Sequence, residues 1–302
     1  MATIFGGRWR DGRRHRVDAF PYLLNIPAGL VLALVIGVPL VQVVIMSLSK
    51  YSFVGESKLI GFTNFVNLFT HDRTFWPTVR NTVIWTVSSL ALEFTFALVT
   101  ALVLHRILRL KGLLRALVLL PWVVPPVTVG LIWKTILDAD SGLLNTILRS
   151  LGIHAQPLLA SPSQALPTLI MVAVWRYAPF MVISLLAGLQ SIDRELYEAS
   201  SLDGAGSFQQ FRHITWPLLR PVVLVVISMG TIWRVGHFDL VNLMTGGGPA
   251  GRTELLSTLA YNKTIAQLNG GSGAAVAIMT LLATVVIGFP IFQRLLRERG
   301  VR

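Results

Sequence analysis

The sequence predicts an all-α integral membrane protein with six transmembrane helices, and three observations carry that prediction. Hydrophobic residues make up 53% of the 302, with a mean hydropathy of +0.66. Charged residues are only 13%, about half the share usual in soluble domains. The apolar residues are not spread out but gathered into blocks, and six blocks reach the roughly 20 residues that cross a hydrocarbon layer.

The elements follow in order. A tail, residues 1–21, carries Arg8, Arg10, Arg13, Arg14 and Arg16. The spans are expected at 22–48, 79–104, 113–137, 166–189, 218–238 and 273–295, and a second tail at 296–302. Pro27, Pro39, Pro121, Pro125, Pro126 and Pro179 fall in or near spans, where neighbouring helices and side chains can satisfy the backbone groups a proline frees. The loops 49–78, 138–165 and 239–272 are longer than ordinary connections. No internal repeat or low-complexity linker divides the chain, so 22–295 reads as one membrane domain.

Basic residues set the orientation. The first tail, the second and fourth loops and the last tail together hold sixteen lysines and arginines, and the opposite side holds seven. Both termini and the loop 191–217 are therefore expected in the cytoplasm. The formal charge of +12 follows this topology and not a nucleic-acid footprint, because the basic residues flank apolar blocks and form no long run interleaved with aromatics. Arg13-Arg14 precedes an apolar run too long for a signal-peptide core, so a retained basic tail is expected. The absence of cysteine excludes disulfides and thiolate metal sites.

The loop 191–217 is the most informative stretch. Asp193 is a plausible N-cap, with Glu195 in the first turn. A helix over 194–202 is expected to end at Gly204 by adopting positive φ. Ser207 and Gln210 stand at capping-box spacing and restart a helix at Phe208. Pro217 suits the first turn of the next span, where its missing N–H costs nothing. Small residues at Ala199, Ser200, Ser201, Gly204, Ala205 and Gly206 allow close approach of a partner, and Glu198 and Asp203 add two negative charges.

Glu198-Ala199-Ser200, then Gly204 after three residues, Ile214 after nine more, and Pro217 resemble the EAA loop of the membrane subunits of bacterial ABC importers. Asp203-Gly204-Ala205 adds a tripeptide common in that loop. Ser200 in place of alanine keeps the small size, and the bulkier Trp216 replaces leucine. The resemblance implies a type I importer permease whose cytosolic coupling loop docks on a separate ATPase. The chain itself cannot complete a P-loop, since its lysines follow Ser49, Ser57, Leu110, Trp133 and Asn262 and never glycine. No zinc-protease or nucleophile-elbow motif is present. The expectations are no catalytic residue, no metal and no cofactor on this chain, with ATP and Mg on the partner ATPase.

A second set of residues narrows the family. Trp175, Pro179-Phe180, Leu186 to Gln190, Phe238-Asp239, Leu243, Thr245 to Pro249 and Thr253 resemble the first permease of maltose- and glycerophosphate-type carbohydrate importers, over most of residues 170–265. This implies import of a sugar, a disaccharide such as trehalose or a maltose-like sugar, across the bacterial inner membrane by alternating access. The implied partners are a second related permease, two ATPase subunits and an extracytoplasmic sugar-binding protein. A glycerophosphodiester or an amino acid is the alternative solute. An ion-coupled secondary transporter using Glu93 is the more distant rival.

Glu93, Arg176 and Arg234 lie within spans, where ionisable side chains face a bundle interior or a wet cavity. Glu93 and Arg176 sit at similar depths and could meet, as an ion pair holding two helices or as solute ligands. Arg234 is expected to snorkel outward or pair with Asp239. Trp175, Tyr177, Trp233 and Phe238 could stack on sugar rings or anchor at the membrane interface, with mid-span Trp175 the better stacking candidate. His237 and Asn242 could bond hydroxyls or cap the end of a span.

Overall fold

The computed structural model of the protein describes residues 20–51, 57–106 and 111–299. Arg8, Arg10, Arg13, Arg14, Arg16, Arg109 and Arg302 lie outside the described residues. The chain divides into two units, residues 1–43 and 44–302. In the first, α1 (Phe20–Leu32) passes through a π-turn at Ala33–Gly37 into α2 (Val38–Ser47), which continues into the second unit. In a regular helix the Pro39 ring would meet the carbonyl of Val35, four residues back, and the wider turn relieves that crowding.

The second unit begins with two short antiparallel strands, β1 (Ser49–Lys50) and β2 (Lys58–Leu59), with Ser49 opposite Leu59. The helices α3 (Thr63–Thr70) and α4 (Phe75–Arg106) follow, then α5 (Lys111–Val123), α6 (Pro126–Ile136), α7 (Leu143–Ser150) and α8 (Ala165–Gln190). After α9 (Arg194–Leu202), α10 (Ser207–Gln210) runs through a π-turn at Phe211–Thr215 into α11 (Trp216–Val235). The chain ends with α12 (Asp239–Met244), α13 (Leu256–Tyr261), a π-turn at Asn262–Ala266, and α14 (Gly270–Arg299).

Among the described residues, five helical stretches are long and apolar enough to cross a membrane: Leu23–Ser47, Phe75–Arg106, Ala165–Gln190, Ser207–Val235 and Gly270–Pro290. The expected third span is not one rod. Gly112–Val123 and Pro126–Ile136 meet at 90°. Val124 and Pro125 each precede a proline, which pushes both away from helical geometry, and Pro125 sits at φ −55°, ψ 142°.

The bundle is organised around α8, which packs on α4, α5, α11 and α12. On α4 the buried residues Trp85, Ser89, Glu93, Ala97 and Ala101 recur every four positions, a ridge that fits the grooves of a neighbouring helix. Ala97 and Ala101 are small, which lets the two backbones approach. The opposite face of α4 exposes Val83, Val87, Phe96, Val99 and Val103. Apolar side chains outward and polar ones inward is the arrangement a lipid solvent demands. Gly188 of α8 lies where a Cβ would stand 2.7 Å from Leu219 Cδ1 and 3.0 Å from Val222 Cγ2 of α11, so a larger residue there would push those side chains aside.

The long loops at the end opposite α9 and α10 are folded. Asn64 donates to the carbonyls of Ser47 (2.8 Å) and Ser49 (2.9 Å), tying α3 to the first strand. Asn81 donates to the carbonyl of Gly251 (2.9 Å), and Lys263 forms an ion pair with Asp72. Within the loop after α12, Gly246 and Gly247 have φ of 61° and 91°, and Thr253 donates to the carbonyl of Gly248 (2.5 Å). The Thr245 to Thr253 pattern is thus a self-tied turn.

Candidate functional site

Two sites stand out, a surface knob built from α9 and α10 and a buried polar cluster near the middle of the bundle. The knob follows from local chemistry. Glu195 lies in the first turn of α9, beside the positive helix end. At the other end Gly204 takes φ 80°, its N–H donating to Ser201 (3.1 Å) and that of Ala205 to Ser200 (2.9 Å). These are the two hydrogen bonds of a glycine-terminated Schellman stop.

The restart differs from expectation. Gly206, not Ser207, is the N-cap of α10, and its N–H donates to Gln209 Oε1 (2.9 Å). Gln210, expected as the capping partner of Ser207, turns back to α9 instead. Its Nε2 donates to Ser201 Oγ (2.9 Å), Ser200 Oγ (3.1 Å) and the Tyr197 carbonyl (3.3 Å). The Tyr197 and Thr215 hydroxyls share a hydrogen bond of 2.9 Å. Glycine has no side chain to spend on a cap, so Gln209 takes that task and frees Gln210 to brace the two helices.

Pro217 stands in the first turn of α11, as expected, but that turn is not a free helix end. It lies inside the continuous stretch Ser207–Val235, two residues past the π-turn, where Trp216 N–H reaches back five residues to Phe211. As at Pro39, widening the turn moves the carbonyl four residues back out of the ring's way. Ile214 is half-buried against the core of α4, α8 and α11. The knob is therefore rigidly joined to a transmembrane helix.

Glu198, Ala199, Asp203 and Gly204 are exposed, and Ser200 and Ala205 are half-buried. Two further residues were not singled out from the sequence. Leu202 is 90% exposed and Phe208 73%, and they flank the Gly204 turn. Leu202 precedes the long apolar stretch Ser207–Val235 and Phe208 stands at its first turn, and apolar side chains exposed together on a polar loop mark a contact surface. The signal was available: each breaks the polar run without belonging to a helical apolar stripe.

The membrane cluster corrects the expected pairings. Glu93 does not meet Arg176. Its Oε1 accepts hydrogen bonds from Arg234 Nε (2.9 Å) and Nη2 (2.5 Å), joining the middle of α4 to the end of α11. Arg234 neither snorkels nor pairs with Asp239, which is exposed at the start of α12. Its guanidinium is buried, with Cζ 4.2 Å from the centre of the Tyr177 ring. The reason is rotational: on α11 residue 234 faces α4, while the backbone leaves helical geometry before Asp239.

Arg176 instead serves the broken third span. Its Nη1 donates to the carbonyls of Pro121 (2.6 Å) and Trp122 (2.8 Å). His237 is buried, stacked on Trp85 with centroids 5.1 Å apart and edge-on to Tyr177 at 5.6 Å. Trp85 Nε1, Thr86 Oγ1, Ser89 Oγ, Glu93 Oε2, Arg176 Nε, Arg234 Nη1 and His237 Nε2 are buried with no hydrogen-bond partner among the described residues. Trp85, Thr86 and Ser89 were not anticipated, although Trp85, Ser89 and Glu93 recur at a four-residue spacing that puts them on one helix face.

The aromatic candidates separate. Trp175 is exposed and meets Trp133 of α6 edge-on at 5.4 Å, apart from the polar cluster. Trp233, exposed on α11, packs on Phe180 at 5.0 Å, and Phe180 on exposed Trp122 at 6.0 Å. These three rings border the break between α5 and α6. Phe238 packs on Tyr261 at 5.1 Å, and Asn242 is half-buried on α12.

Comparison with known proteins agrees with this architecture. The trehalose/maltose transport system permease protein MalF of Thermococcus litoralis is 36% identical over 279 residues, 92% of this chain and 93% of that one. The sulfoquinovosyl glycerol transport system permease protein SmoG of Agrobacterium fabrum is 32% identical, covering 92% and 90%. Among solved structures, a bacterial alginate ABC transporter in complex with an alginate pentasaccharide-bound periplasmic protein contains a chain that superposes with a TM-score of 0.77 at 25% identity, covering 91% of this chain and 93% of that one. A family profile described as the binding-protein-dependent transport system inner membrane component matches residues 93–299. The chain belongs to that family of binding-protein-dependent inner membrane transport components.

Proposed function

We propose that this chain is one of two related permeases of an ATP-driven sugar importer, and that its solute is a disaccharide of the trehalose or maltose kind. The single observation that carries the reading is the braced, acid-bearing knob at α9 and α10, fixed to a transmembrane helix and exposing Glu198, Leu202, Asp203 and Phe208. Such a knob suits a groove on a separate ATPase, which would hold the ATP and Mg. The trehalose/maltose permease relative supports the choice of solute.

In this reading residues 1–21 and 296–302 are cytoplasmic tails around one permease domain, 22–295. Both termini lie inside, as the arginine distribution favours. A loaded binding protein docks on the folded outer loops. ATP-driven closure of two ATPase subunits draws the coupling knobs of the two permeases together and turns the spans outward. Hydrolysis reverses the motion, and a conformational switch of this kind needs contacts that differ between its two states. Trp233, Tyr177, His237 and Asn242 belong to the solute path, with Trp175 and Asp239 nearer its edge. The polar pair Glu93 and Arg234 braces the path, and Arg176 lies beside it.

Uptake of labelled sugar in cells holding the complete transport system tests this. Leu202→Ser with Phe208→Ser should abolish ATP-dependent uptake and co-purification of the ATPase while leaving membrane insertion intact. Undiminished uptake overturns the coupling role. Collapse of the ion gradient at constant ATP should leave uptake unchanged; its loss would favour ion coupling. One observation favours a second solute class. The buried residues include two arginines, Arg176 and Arg234, and one carboxylate, Glu93, bonded to Arg234 alone, an excess positive charge that suits an anionic solute such as a glycerophosphodiester. Competition of the two solute classes for uptake separates these readings.

A further inference from the structure

We propose that Arg176 is a positioning residue that pins the bend of the third membrane segment by replacing the two backbone donors that Pro125 and Pro126 lack. In an α-helix each N–H bonds the carbonyl four residues earlier. The carbonyls that Pro125 and Pro126 would have satisfied are those of Pro121 and Trp122. These are the two that Arg176 Nη1 reaches, at 2.6 and 2.8 Å. An arginine more than fifty residues away thus repairs the deficit that a proline pair creates.

Each side needs the other. Unsatisfied carbonyls in a membrane interior each cost several kcal/mol, and a guanidinium cannot shed its charge. The carbonyls lie at the C-terminal end of α5, where the helix dipole favours a cation. The pairing therefore accommodates a buried arginine that forms no ion pair with a carboxylate among the described residues. Loosening it would release Trp122 from Phe180 and shift α6, whose Gly130 lies against Leu243 and whose Trp133 meets Trp175. This inference stands whether or not the solute is a sugar.

The absence of cysteine from the sequence makes the test direct. Spin labels are placed through Leu117→Cys on α5 and Leu131→Cys on α6, both exposed, and a control pair through Val87→Cys on α4 and Met171→Cys on α8. Distance distributions are measured by pulsed electron resonance on the full chain in liposomes. Arg176→Met should shift and broaden the α5–α6 distribution and leave the control pair unchanged. Pro126→Ala restores a donor for the Trp122 carbonyl, so in that background the shift caused by Arg176→Met should be smaller. Should Arg176→Met not accumulate, Arg176→Gln, which keeps a single side-chain amide donor, gives the same measurement with a smaller shift. An unchanged α5–α6 distance, or a shift indifferent to Pro126→Ala, overturns the proposal. So does a raised uptake KM with the bend unmoved, which would make Arg176 a solute contact.

Discussion

The Glu93–Arg234 pair offers a quantitative test of how the bundle is held. Both side chains are almost fully buried, at 0% and 2% exposure, and the carboxylate accepts both bonds on one oxygen. Removing one partner of a buried pair costs about 3–5 kcal/mol, because a charge is left without compensation. Glu93 Oε2 and Arg234 Nη1 have no partner among the described residues, so the pair is less complete than a two-oxygen fork and the expected cost is about 3 kcal/mol. At about 2 °C per kcal/mol, the low end of the range suited to a chain of this length, Glu93→Met should lower the thermal midpoint by roughly 6 °C.

Replacing both residues, Glu93→Met with Arg234→Met, removes both buried charges and should recover most of that loss. The four proteins form a double-mutant cycle, read by thermal unfolding of the purified chain in detergent and by uptake in cells. A structural brace predicts that the double variant is both stable and active. Solute ligation predicts a stable double variant without uptake. A single variant that loses less than about 1 kcal/mol, or a double variant whose loss equals the sum of the singles, refutes the argument.

Gly204→Ala should cost about 1–2 kcal/mol through backbone strain, since φ is 80° and no atom lies within 4 Å of the added Cβ; uptake should fall while expression holds. Gln210→Ala removes the brace between α9 and α10 and should reduce ATPase co-purification without changing the thermal midpoint of the transmembrane core, checked by the same two assays. Burial raises the Asp72 carboxyl, but its bonds to Lys263 and Thr74 outweigh that and hold it below the usual range. Its stabilisation is present above the unfolded value and lost as pH falls through the depressed one. Asp72→Asn should therefore cost no more than about 1 kcal/mol at neutral pH, a gap in thermal midpoint that closes on acidification. Glu254 has the opposite sign, because burial pushes it up despite its bond to Asn262. Glu254→Gln should stabilise at neutral pH, an advantage that shrinks as pH falls.

The sequence by itself determined the class of fold, most of the span boundaries and the helix α9 with its glycine stop. Hydropathy blocks and helix stop signals act locally, and the bilayer sets segment length, so Ala165–Gln190 or the Gly204 stop can be read in one dimension. The proline pair at 125 and 126 was visible, but not the right-angle break, which stands only because donors arrive from another helix. Which arginine meets Glu93 depends on how α4, α8 and α11 are rotated about their axes, and small packing contacts such as Gly188 against Leu219 set that rotation. Depth along a span, the quantity the sequence supplies, placed Glu93 beside the wrong arginine. Tertiary packing decided the pairing because buried charges find partners by direction as well as by height.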